Sequence, residues 1–380
     1  EYRPAVTFIN GEYWGIYNIR EKLSEHYLAN RHHVDPDSID MLENDASIIH
    51  GDAVHYNTFI NYIDNNDMAT DSSYNFVNKM IDLDNCLLYY IFEMYINNRD
   101  WPGNNLKYWR ERTENGKWRW LVYDTDFGFN LYGSEEHNED PFPFALYYSG
   151  DPNHGWPNPD WSTLIMRKLL ENPVIQNKFI NLFADLLNTN FKSERVVSII
   201  NDYAGHIANE IGKHRSRFGV GGEGTERMIE FAEKRPNNMR NFIRNYFGSG
   251  SNGNLTINST EGGKVLLNSL SFSSSELPWT GIYFQNNAVQ LTAVSEPGYK
   301  FTGWSGSSSS EFKDLSFNVG SSSSLTANFE IDSLPSTLVI NEINYNSSDE
   351  FDPEDWIELY YTGENDLNIS GWLCRDERDT

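Results

Sequence analysis

Asn98-Arg99-Asp100-Trp101-Pro102-Gly103-Asn104-Asn105, then Trp118-Arg119-Trp120-Leu121-Val122-Tyr123-Asp124-Thr125-Asp126-Phe127-Gly128, are the two stretches that decide the fold. Just before them, Leu83, Leu87, Leu88, Ile91, Phe92 and Tyr95 recur at helical spacing between Asp82 and Asn97. The Asn-Asn-Arg-Asp-Trp-Pro-Gly run then ends that helix. Asn105 to Arg112 and Lys117 to Tyr123 form the arms of a predicted hairpin, closed by an Asn115-Gly116 turn. Its second arm alternates Trp118, Trp120 and Val122 against Lys117, Arg119 and Leu121. The order is thus helix, polar loop, hairpin, and a carboxylate-rich exit at Asp124-Thr125-Asp126-Phe127-Gly128.

Toward the N-terminus, Ala5–Ile9 and Tyr13–Ile19 flank an Asn10-Gly11 turn, a second hairpin, with a helix expected around Glu21–Arg31. Toward the C-terminus, residues 133–160 are rich in Pro, Asn, Gly and acid and read as a long loop, often a functional kind. Helices are expected near 161–171, 174–188, 194–217 and 226–247. Ser249-Gly250-Ser251-Asn252-Gly253 is a linker. After it the periodicity changes to short alternating strands with Gly and Ser turns.

The chain has 380 residues, too many for one ordinary core. Its aromatic content of 14% supplies ample core material and argues against global disorder. The formal net charge is −26, which repels nucleic-acid phosphates and anionic membranes, so neither is expected as a partner. After residue 248 five Lys/Arg stand against nineteen Asp/Glu, a composition break that suggests a domain boundary. The expected units are 1–248, 254–330 and 338–380, with the β units packing few side chains against the first. Cys86 and Cys374 suggest neither a disulfide framework nor a zinc site. No stretch is long and apolar enough to span a membrane. The chain opens in a strand pattern and closes mid-pattern, as a piece of a longer secreted protein would. No GxxxxGK[ST], HExxH or GxSxG motif occurs, which argues against a P-loop, a zincin or an α/β-hydrolase. Trp101, Trp109, Trp118 and Trp120 are expected in the core rather than as a sugar platform.

Phosphoryl transfer needs a carboxylate to orient a hydroxyl and accept its proton, and cations held by a further Asp and an Asn. Asp100, with Asn105 five residues on, has the Asp–Asn spacing of a protein-kinase catalytic loop, and Asp126 in Asp-Phe-Gly resembles a metal-binding Asp. A purely local reading is also open: Asp100 caps a turn, and Asp124 and Asp126 bond backbone amides after a strand.

Asn10-Gly11-Glu12-Tyr13-Trp14-Gly15-Ile16-Tyr17-Asn18-Ile19-Arg20-Glu21-Lys22, Asn98-Arg99-Asp100 through Asn105, and Trp118 through Gly128 resemble, in order, three motifs of the CotH-type spore-coat atypical kinases. The resemblance runs over roughly residues 3–247. It implies an α+β atypical kinase-like domain that uses ATP and a divalent metal (Mg²⁺ or Mn²⁺). It implies Asp100 as the catalytic carboxylate, Asp126 or Asp124 as a metal ligand with Asn105 as a second, and Arg20, Glu21 and Lys22 on the nucleotide side. Members often carry a Lys where this chain has Glu43, which would repel phosphates. Either Arg20 or Lys22 would then substitute, or the domain would be a weak or dead kinase. Gly298 to Gly306, with Leu325 to Phe329, resembles a bacterial InlB-type β repeat, and Leu338–Ile343, Asp355–Leu359 and Leu367–Trp372 resemble the first half of a lamin-tail sandwich. The implied fold class is multi-domain, a kinase-like α+β domain followed by small all-β modules. The implied function is transfer of the ATP γ-phosphoryl to a Ser/Thr hydroxyl of an extracellular or surface protein of a bacterium. The rival is a non-catalytic surface or adhesion protein on the same scaffold.

Overall fold

The computed structural model of the chain describes residues 2–151, 153–219, 225–332, 338–345, 356–363, 367, 369 and 372. Strands β1 (Tyr2–Ile9) and β2 (Glu12–Arg20) form a separate antiparallel hairpin. Helix α1 (Glu25–His32) follows, then β3 (Ile39–Glu43) and β4 (Ser47–His50). Helices α2 (Val54–Asn65), α3 (Asp71–Met80) and α4 (Leu83–Ile96) lead into β5 (Lys107–Glu111) and β6 (Arg119–Trp120). The four strands make one sheet in the order β4-β3-β5-β6. A short α5 (Phe142–Ala145) lies in the long loop, before α6 (Asp160–Leu169), α7 (Pro173–Asn188), α8 (Ser193–Ile207), α9 (Ile211–Phe218) and α10 (Glu226–Phe247).

Helix α4 is the axis of this domain. The Asp82 side chain accepts the Asn85 N–H at its start, and Asn97 ends it with φ 57°. Leu87, Tyr90, Ile91, Met94 and Tyr95 are buried along it. Trp101, Trp109, Trp118 and Trp120 are each at most 3% exposed, so the four indoles are core.

Three boundaries differ from the sequence reading. The Ser24 hydroxyl caps α1 by accepting the Tyr27 N–H, so the helix starts at Glu25 and residues 20–22 lie before it. The stretch 194–217 is two helices, α8 and α9, rather than one. The second hairpin arm leaves the sheet after Trp120, well short of Tyr123, and the exiting chain takes φ 53° at Asp124.

From Asn252 the chain is β. One four-stranded sheet has the order β10-β7-β14-β12, the other β13-β11-β8-β9. These are β7 (Asn252–Ser259), β8 (Gly263–Leu267), β9 (Leu270–Phe272), β10 (Trp279–Phe284), β11 (Val289–Ser295), β12 (Tyr299–Gly306), β13 (Asp314–Phe317) and β14 (Ser322–Ile331). Alternate residues Leu255, Ile257, Leu325 and Ala327 of one sheet, and Val265, Leu267, Leu291 and Ala293 of the other, are buried. An α+β domain followed by β modules is the expected fold class.

The sandwich does not stand off from the helices, contrary to the expectation that it packs few side chains against them. The fully buried Asp185 on α7 accepts from Asn268 Nδ2, Ser269 N and Oγ, and the Tyr283 hydroxyl at 2.6–3.1 Å. Asn188 exchanges two bonds with the backbone of Ile282, at 2.8 and 3.0 Å, and Asn181 donates to the Ala288 carbonyl. One hydrophobic cluster runs through α4, α7 and both sheets. Burial raises the Asp185 carboxyl above its ordinary range, against the four hydrogen bonds that favour its charge. Finally, β15 (Leu338–Asn344) pairs antiparallel with β16 (Trp356–Tyr361). Much of the expected lamin-tail segment, including residues 346–355 and 373–380, lies outside the described residues.

Candidate active site

The loop after α4 is organised by its own side chains. Asn98 Oδ1 accepts the Asp100 N–H at 3.1 Å, and Asn98 Nδ2 donates to Glu93 at 2.9 Å. Asp100 Oδ2 accepts from Asn104 and Asn105 at 3.1 and 3.0 Å, and Oδ1 accepts from the Trp156 indole at 3.0 Å. The Asn105 amide also donates to the Asp124 carbonyl at 3.4 Å, which directs its own carbonyl oxygen away from Asp100. Asn105 and Asp124 both sit at positive φ, 57° and 53°. Backbone held in this sparsely populated region is common where geometry serves a site.

The Asp-Phe-Gly exit packs back on the same loop. Arg99 N donates to the Phe127 carbonyl at 3.2 Å, and Phe129 N to the Ile96 carbonyl at 3.0 Å. A Cβ on Gly128 would meet the Ile96 carbonyl oxygen at 2.6 Å, so only glycine permits that approach. Asp126 therefore lies immediately before two backbone contacts to the end of α4 and the Asp100 loop. The side chains of Asp124 and Asp126 are exposed and carry no hydrogen bond or ion pair among the described residues. The structure thus joins Asp100, Asn105 and the Asp124 backbone directly, with Asp126 two residues on.

A cavity of about 860 Å³ opens beside this exit, lined by Ile16, Asn18, Arg20, Val122, Thr125 and His214 among others. Its far wall is α8 and α9, and His214 ties it to β2 by accepting the Ile16 N–H at 3.0 Å. Arg20 faces this space. Glu21 turns toward Arg31, 3.8 Å away, and lines a neighbouring cleft with Arg20. Lys22 is exposed beyond them. The contribution of α8 and α9 escapes a sequence reading, because Tyr203, Ile207 and Ile211 look like an ordinary amphipathic stripe.

Lys107 is the other residue that sequence reasoning missed. It is the cross-strand partner of Glu43, with Nζ 3.8 Å from the carboxylate and 4.5 Å from the Tyr123 ring centre. A cation stands next to Glu43, supplied by β5 rather than β3. Burial, followed by the charges of Glu43, Asp124, Asp100 and Glu93, pushes the Tyr123 hydroxyl up to about 12. Tyr123 therefore marks the centre of an acidic site with Lys107 on its rim.

Behind the site Glu93 is 1% exposed, and burial pushes its carboxyl up to about 8, opposed by the Asn98 hydrogen bond. The folded protein holds a proton there that the unfolded chain releases near 4.5. Stability from this group is full below that value and is lost as pH rises through about 8. We expect the wild-type Tm to fall more steeply between pH 5 and 9 than that of Glu93→Gln. At pH 9 the variant should be the more stable by a few kcal/mol, on the order set by 1.4 kcal/mol per unit. Parallel pH–Tm curves for the two proteins would show the assignment to be wrong.

Among the described residues no three His, Cys, Asp or Glu side chains converge on one point. The free carboxylates of Asp124 and Asp126 and the amide oxygen of Asn105 nonetheless suit a hard cation that keeps waters and takes phosphate oxygens as remaining ligands. A carboxylate is thus hydrogen-bonded to an Asn five residues on, in a loop whose backbone is bonded to an Asp-Phe-Gly segment. The sequence profile of the CotH kinase protein family matches residues 1–245, and the chain belongs to that family. The profile of the divergent InlB B-repeat domain matches residues 253–333. Comparison with curated proteins finds no match. The two families together point to a surface or coat location.

Proposed function

We propose that the N-terminal domain is an atypical kinase that transfers the γ-phosphoryl group of ATP to a Ser/Thr hydroxyl of an extracellular or surface protein. The observation that carries this reading is the hydrogen-bonded set of Asp100, Asn105 and Asp124 beside an open cavity reached by Arg20 and Thr125. Asp100 accepts the proton of the acceptor hydroxyl as its oxygen bonds to the γ-phosphorus. The bond to the bridging oxygen breaks and ADP leaves. Asn105, Asp124 and Asp126 are the residues that would hold Mg²⁺ or Mn²⁺, which when bound neutralises phosphate charge. The apolar residues Ile16 and Val122 suit the base, and Arg20 and Lys107 suit the phosphates. Lys107 meets the objection raised by Glu43, since the pair presents a cation where an isolated Glu would only repel. The β sandwich, fixed to α7 through Asp185, acts as a rigid spacer, and β15–β16 begin a lamin-tail-like module.

The same Glu43–Lys107 pair favours the second reading, a non-catalytic surface scaffold, if the Lys stays neutralised by its neighbour. Thermal shift separates the two. ATP with Mg²⁺ or Mn²⁺ should raise the Tm, because a ligand bound only by the native state stabilises it. Asp126→Asn should reduce that shift by removing a negative ligand. An unchanged Tm with both metals would remove the kinase reading and leave the scaffold.

A further inference from the structure

Trp156 lies in the long loop before α6, and the residue is 63% exposed. A tryptophan retained for packing buries its ring. This one instead directs its indole N–H at Asp100 Oδ1, 3.0 Å away. The loop is braced to do so. Gly103 N donates to the Pro157 carbonyl at 2.8 Å, and a Cβ on Gly103 would meet that oxygen and Pro159 Cδ, both at 2.6 Å. Asn158 Nδ2 donates to the Phe144 carbonyl at 3.0 Å, and Asp160 accepts the N–H groups of Ser149 and Gly150 at 2.7 and 2.9 Å.

The two oxygens of Asp100 are therefore unequal. Oδ2 is engaged by both asparagine amides, whereas Oδ1 has one donor and a lone pair to spare. Resting on the phosphoryl-transfer reading above, we propose that Trp156 is the acceptor-side positioning residue. Its N–H fixes the carboxylate so that the second lone pair of Oδ1 meets the acceptor hydroxyl, and its open ring face supports the residue beside that hydroxyl. An acceptor hydroxyl arrives next to the indole, on the side of Asp100 away from Asn104 and Asn105. The Trp156 N–H acts through Asp100, and the residue takes no part in nucleotide binding.

The test uses the full chain, ATP with Mn²⁺ or Mg²⁺, and dephosphorylated casein as acceptor. Trp156→Phe keeps a ring and removes the donor. It should lower kcat about tenfold, the worth of one hydrogen bond to a charged group, with the KM for ATP unchanged. Trp156→Ala should in addition raise the KM for casein severalfold. Independently of turnover, ¹⁵N-indole NMR assigns the Trp156 resonance as the one lost in Trp156→Phe, and that resonance should move in Asp100→Ala. An unmoved resonance, or a Trp156→Phe protein with wild-type kcat, overturns the role of Trp156 alone. Wild-type protein that transfers no phosphoryl group overturns the kinase reading and this role with it, whereas a moved resonance would still show that the indole holds Asp100.

Discussion

Asp100→Asn should lower phosphoryl transfer by about 10²- to 10⁴-fold, the range spanned by a positioned general base. Asn cannot take the hydroxyl proton, and its amide can satisfy only part of the present pattern. If its oxygen faces Asn104 and Asn105, its NH₂ faces the Trp156 N–H, donor against donor. The structural cost is one lost hydrogen bond on a partly exposed group, about 1 kcal/mol. The fold and the ATP-dependent rise in Tm should therefore survive. Labelled γ-phosphate transfer, thermal shift and circular dichroism on the same preparation check all three. Transfer at the wild-type rate would assign Asp100 to the loop structure alone. On the proposed reading the two carboxylates serve opposite ends of the reaction, so Asp126→Asn should give the opposite pattern, weakened nucleotide binding first.

The largest loss of stability should come from Arg235→Met. Arg235 is 0% exposed on α10 and donates to four carbonyls: Met94, Tyr95, His137 and Glu139, at 2.7–3.0 Å. Two of these carbonyls are at the end of α4, where among the described residues Met94 has besides Arg235 only the Asn97 N–H at 3.3 Å and the dipole favours a cation. The other two hold the 137–139 segment, whose Glu139 side chain in turn binds Asn97 and Arg99 beside Asp100. Burial pulls the guanidinium down to about 9, so it is still protonated at neutral pH. Met fills most of the volume but removes a charged donor from four carbonyls; Met94 and His137 keep the Asn97 N–H and the Asn238 amide, and the carbonyls of Tyr95 and Glu139 lose their donor. A cost of about 3–5 kcal/mol is expected, as for breaking a buried charged network. That corresponds to a Tm lower by roughly 10 °C for a domain of this size. Thermal denaturation followed by circular dichroism reads it directly. A Tm within a degree or two of wild type would mean that α4 is terminated by Asn97 without help from α10.

Periodicity and turn chemistry made much of the local structure legible. Helix α4 shows in its Leu and Ile spacing and the β sandwich in its two-residue alternation. The 105–123 hairpin forms, but Tyr108 pairs with Trp120 and neither Asn115 nor Gly116 takes positive φ, so a longer connection than the expected Asn115-Gly116 turn closes it. Asp100 and Asn105 were paired by spacing, and the structure joins them with a hydrogen bond. The partners supplied by distant chain were not legible. Lys107 stands by Glu43 only because β5 pairs with β3 in one register, and Trp156 reaches Asp100 across 56 residues.

The polar stripe of α7 marks the limit most clearly. Asn177, Asn181, Asp185 and Asn188 recur at helical spacing, and that pattern read locally is a solvated face. In the fold Asn181, Asp185 and Asn188 are buried, because backbone groups and turns of the β sandwich arrive to satisfy them. The sequence by itself determined α4, the N-terminal hairpin, the β alternation and the Asp100–Asn105 loop, since those follow from backbone sterics and side-chain period over a few residues. The tertiary structure alone decided which polar groups are buried, where Arg235 points and what faces Asp100. Burial and hydrogen bonding depend on groups that only folding brings within 3 Å or so of one another.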